Sequence, residues 1–181
     1  AVDSFTQSLR VYDVNGSPAE YADIRKQMGL TYAGIARANG DPDYYIRGVR
    51  AFSEALNIYT FERCPEGYGF IKKNIGLAYE GLSAVSDKIA NSQPASAAYE
   101  DALKFYTHER FPEEHTAILV SLGSIYQLLA ESVDRAANCR KAIDCYDMIL
   151  GVYNLEDHPE EYAAGLNNLG VVYRMLAEHE D

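Results

Sequence analysis

With 181 residues, 48% of them apolar and 12% aromatic, the chain has the composition of a globular protein able to bury a core. A net charge of −11 argues against nucleic acid, whose phosphates demand clustered Lys and Arg, and against anionic membrane surfaces. No run of about 18 apolar residues suggests a membrane span, and Cys64, Cys139 and Cys145 form no CxxC pair, so a reduced, cytoplasmic setting is expected.

The first predicted element is a helix within residues 1–17, whose Phe5, Leu9 and Tyr12 stand 47 residues before Phe52, Leu56 and Tyr59. From there the chain falls into copies of one unit, because Pro18, Pro65, Pro112 and Pro159 share a 47-residue register. The expected organisation is a single repeat domain. Residues 1–17 supply the second helix of a partial repeat, 18–64, 65–111 and 112–158 form three full repeats, and 159–181 supply the first helix of another partial one.

Each proline opens a predicted helix A. Proline suits the first turn, where its missing N–H is no loss, and the Glu residues that follow it in three copies favour the positive end of the helix dipole. Gly29, Gly76, Gly123 and Gly170 form one column and Tyr32, Tyr79, Tyr126 and Tyr173 another. Around them an apolar stripe (Ile24, Met28, Tyr32, Ile35 in the first copy) recurs at helical spacing, and the fourth copy departs from it once, at Gly165. Helix B follows in each full unit, carrying Gly48, Phe52, Ala55, Leu56 and Tyr59 in the first and matching columns in the next two. Asp41 and Pro42 supply its cap and first residue in the first repeat, and Pro94 is expected to be the first helical residue in the second. A glycine inside a helix costs about 1 kcal/mol relative to Ala, so the glycine column predicts a close approach by the helix B aromatic.

Candidates for chemistry reduce to packing or solvation. Glu113–Glu114 and Glu160–Glu161 are adjacent first-turn residues that point about 100° apart. The histidines His108, His115, His158 and His179 share no metal-ligand spacing, and Cys145 stands in a column with Ala51 and Ala98. No catalytic constellation, metal or cofactor is expected.

The Leu-Gly-x-x-Tyr of helix A, followed by small-x-x-x-aromatic-x-x-Ala-Leu on helix B, resembles the tetratricopeptide repeat over nearly the whole chain. The chain departs from the family's 34-residue unit by its length of 47, resembling the longer bacterial-type variants, and its Trp column is replaced by Arg25, Lys72, Leu119 and Leu166. The resemblance implies an all-α, right-handed superhelix that binds peptides or partner proteins in a concave groove lined by helix A. It implies no enzymatic activity. The groove candidates are Lys26, Gln27 and Leu30 in the first repeat and Lys73, Asn74, Leu77 and Glu80 in the second. Ser124 and Gln127 follow in the third, and Asn167, Asn168 and Arg174 in the last helix. Lys26 and Lys73 share a column suited to an acidic group, and they match the lysine of the family's carboxylate clamp, whereas Leu30 stands where that clamp has Asn. Self-association through the terminal helices is the alternative expectation. It rests on Phe5, Leu9 and Tyr12 at one end and Leu169, Val172, Tyr173 and Leu176 at the other.

Overall fold

The computed structural model describes residues 2–180, without the side chains of 179 and 180, so His179 lies outside the described side chains. Among the described residues there are eight α-helices and no strand. They are α1 (Val2–Ser8), α2 (Pro18–Asn39), α3 (Pro42–Ala55), α4 (Pro65–Val85), α5 (Lys88–Leu103), α6 (Pro112–Ala130), α7 (Arg135–Val152) and α8 (Pro159–Glu180). The four register prolines each open a helix, as their lack of an N–H favours. Residues 1–105 and 106–181 form two compact units, and within each the helices adjacent in sequence pack together.

The loops that lead into the A helices share one turn. The amide four residues on donates to the carbonyl of Asp13, Thr60, Thr107 and Asn154 in turn, at 2.9–3.1 Å. Side-chain oxygens reinforce it: Asp13 Oδ1 accepts from the Asn15 and Gly16 amides, and Asn154 Oδ1 from those of Glu156 and Asp157. The residue closing each turn then passes its carbonyl to the amide four further on, from Ser17 to Tyr21 and from Cys64 to Tyr68, so the turn runs directly into the first helical turn.

Inside the first unit, Ala22, Phe52, Ala55, Ile71 and Ile75 form one core cluster and Ala36, Tyr45, Ala78 and Leu82 another. The glycine column explains how these helices come so close. A β-carbon at Gly29 would lie 2.6 Å from the Phe52 ring, and one at Gly76 2.7 Å from Tyr99. In the second unit, one at Gly123 would lie 2.5 Å from Tyr146, so the helix B aromatic occupies the missing side chain's space as expected. Gly170 differs, since nothing lies within 4 Å of its β-carbon position. The departure at Gly165 has a local cause: Leu150 of α7 reaches to 2.8 Å of where its β-carbon would stand.

Three expectations need correction. Pro94 does not open its helix but lies inside α5, which starts at Lys88 because Asp87 caps it by accepting from the Ala90 amide. Helix B ends early: α1 stops at Ser8, so Leu9 and Tyr12 follow the helix instead of lying on it, as do Leu56 and Tyr59 after α3, Tyr106 after α5 and Tyr153 after α7. Leu169 and Val172 are buried, α8 packing on α7, and of the four apolar residues expected to be uncovered on α8 only Tyr173 is exposed.

Candidate functional site

In the first unit the groove candidates carry bonds of their own. Lys26 Nζ donates to Asp23 Oδ1 at 2.7 Å and sits 5.2 Å from the centroid of Tyr59, whose hydroxyl donates to the same oxygen at 2.7 Å. These bonds, that of Lys26 first, hold the Asp23 carboxyl below its usual range, and burial first and then Asp23 push the Tyr59 phenol up. Lys26 is thereby half-buried beside a carboxylate instead of presented to an acidic ligand. Asn74 Nδ2 donates back to the Phe70 carbonyl, Leu30 packs on the core, Gln27 and Leu77 are exposed, and Lys73 is half-buried.

Glu80 and Gln127, four residues after their glycines, have a packing role. The Tyr99 hydroxyl donates to Glu80 Oε2 at 2.7 Å, and that of Tyr146 to Gln127 Oε1 at 3.1 Å. Where helix B carries Phe52, which has no hydroxyl, the corresponding helix A residue is Ala33. The replaced Trp column behaves similarly. Arg25 Nε lies 2.7 Å from Glu54 Oε2, an ion pair whose N–H is not aligned for a hydrogen bond, and Lys72 Nζ lies 2.7 Å from Asp101. In the third copy these positions are Leu119 and Met148, both apolar.

The second unit holds a groove of about 300 Å³ between α6 and α8. Ala117 and Val120 line it from α6, Ala164, Gly165 and Asn168 from α8, and Tyr146, Ile149 and Tyr153 from α7 and its end. Glu113 and Glu161, from the first turns of α6 and α8, complete it with Thr116. Thr116 is only 7% exposed, and its Oγ1 is enclosed without a hydrogen-bond partner. Gln127 links the two walls near this groove, its Nε2 donating to the Asn168 carbonyl at 3.3 Å. Burial pushes the Tyr146 phenol up, consistent with a ring set among apolar side chains.

Of the sequence candidates in this unit, Asn168 lines the groove, whereas Ser124, Asn167 and Arg174 are exposed positions on its two helices. Glu113, Thr116, Tyr153 and Glu161 lie outside the groove candidates that the sequence offers. A signal was present: Glu113, Thr116, Ala117 and Val120 repeat the spacing of Glu161, Ala164, Gly165 and Asn168, three, one and three, which marks one face on each helix.

Fold and groove together define an all-α protein built from helix pairs packed in sequence. No family model, curated protein or solved structure matches the chain. Among the described residues no helix is long and apolar enough to cross a membrane.

Proposed function

We propose that the chain is a non-catalytic protein-interaction module of the tetratricopeptide-repeat kind, holding a peptide or a partner protein against its A helices. The groove between α6 and α8 carries this reading, because it joins an apolar floor to polar groups at positions that an extended segment could reach. A cytoplasmic setting fits three cysteines that form no disulfide, two of them buried. Selection of heptapeptides from a displayed library against the 181-residue chain, followed by mapping of amide NMR shifts, tests it. The expected shifts cluster on α6, α8 and Tyr153, and binding falls at least tenfold in Val120→Lys, whose position is exposed and tolerates the charge without unfolding. Shifts confined to other surfaces would remove the groove from the proposal.

A second reading, self-assembly through the helical ends, has one specific observation in its favour. Leu119 and Tyr126 of α6 are 1% and 4% exposed under α7, whereas the matching Leu166 and Tyr173 of α8 are 48% and 52% exposed around the open Gly170. The occupant we infer is α1 of a second copy, because Phe5 stands in the column of Phe52, Tyr99 and Tyr146 that fills this space elsewhere. Sedimentation over a concentration series tests this. Association that disappears in both Gly170→Leu and Phe5→Ala supports head-to-tail pairing, and a monomer at all concentrations rejects it.

A further inference from the structure

We propose that the groove between α6 and α8 selects a basic side chain, arginine before lysine, presented by an extended peptide; this rests on the interaction-module reading and names its ligand class. Two first-turn carboxylates, Glu113 and Glu161, face the groove from opposite walls. Among the described residues neither forms an ion pair, and no Lys or Arg lines the groove. Helix dipoles account for acidic residues at these positions, but not for the enclosed hydroxyl between them. Thr116 Oγ1 is buried with no partner, a state that costs free energy until a donor arrives. Turning its χ1 exchanges that oxygen with the methyl group, and threonine in a helix divides between these rotamers.

The three ligand charge classes fare differently here. An anionic side chain meets two carboxylates in a chain of net charge −11. A neutral apolar one covers the floor but dehydrates the carboxylates without pairing them and leaves the hydroxyl without a donor. A basic one lays its aliphatic stem along Ala117, Val120 and Ala164 and brings donors to all three groups, with the Tyr153 ring adding cation–π attraction. Guanidinium has five donors in a planar fork, against three on a compact ammonium, which favours arginine for three separated acceptors.

The probes are the acetylated, amidated pentapeptides with four alanines and a central arginine, lysine, norleucine or glutamate, titrated into the 15N-labelled 181-residue chain. The expected result is saturable shifts at Glu113, Thr116, Glu161 and Asn168. The arginine peptide should bind about tenfold more tightly than norleucine, the equivalent of one charge-assisted bond. Glu113→Gln/Glu161→Gln should abolish that preference, weakening arginine binding to the level of norleucine or below. If the double variant loses its fold, raising salt on the wild type replaces it, since only the arginine and lysine complexes should weaken. Norleucine binding in the groove as tightly as arginine would overturn the charge preference and leave the peptide groove standing. The absence of groove shifts with every peptide would overturn both.

Discussion

Four glycines occupy one column, yet the structure gives the fourth a different environment, and substitution should separate them. Gly123→Ala puts a methyl group 2.5 Å from the Tyr146 ring, itself fully buried, so chemical denaturation should show a loss of about 1–3 kcal/mol. Gly170→Ala meets nothing within 4 Å and gains helix propensity, so the same measurement should show a gain approaching about 1 kcal/mol. Equal effects at both positions would contradict the ring-in-the-gap account. The hydroxyl partners allow a second test. Phe52→Tyr places a hydroxyl beside the Ala33 column and should cost about 1–3 kcal/mol as an unsatisfied group. Adding Ala33→Gln, which copies the Gln127–Tyr146 pair, should recover a measurable part, and a double-mutant cycle with no coupling would dismiss the pairing.

At the level of elements, much was legible because proline, glycine and aromatic columns each answer a single strong constraint. A residue without an N–H belongs in a first turn, and a residue without a side chain belongs where a ring intrudes. Pro94 was misplaced because α5 contains two start signals, and the Asp87 cap recruits the six residues from Lys88 to Gln93 before the proline. The hydroxyls of Ser92 and Ser96, one on each side of it, donate to carbonyls that precede it, at Lys88 and Gln93. The groove was legible by half. Its face on helix A followed from periodicity, but Glu113 and Glu161 also satisfy the dipole, and Tyr153 stands in a column of packed tyrosines, so one sufficient explanation concealed another. His115 adds a pH dependence to α6. It occupies a column held elsewhere by Tyr21, Tyr68 and Tyr162, with its Nδ1 enclosed and unpaired. Burial first, and then neighbouring His108, lower its pKa from the ordinary 6.5. Protonation is therefore easier in the unfolded chain, and this contribution to stability is lost as pH falls through 6.5 toward the lower folded value. His115→Tyr should reduce the loss between pH 7 and 5 in thermal melts, and an unchanged slope would remove His115 as its source.

For the molecule as a whole, the net charge of −11 makes salt a discriminating variable between the two functional readings. Copies of an acidic chain repel, so raising ionic strength should strengthen any association through α8 and α1. The same change should weaken capture of an arginine peptide in the groove. Sedimentation and peptide titration at low and high salt should therefore move in opposite directions. Two effects of the same sign would exclude one of the assignments.

Among the described residues α8 packs on α7 and touches α6 through the Gln127–Asn168 bond, while nothing lies within 4 Å of its Gly170 β-carbon position. In a linear array, where stability is a sum of unit terms and nearest-neighbour interfaces, a segment with one interface opens more often than a segment with two. Backbone amides along α8 should therefore exchange with deuterium sooner than those of α7, which packs on both α6 and α8. A helix seated on the Gly170 face would add the missing interface, so its arrival would register as slower exchange across α8 even if no backbone atom moved.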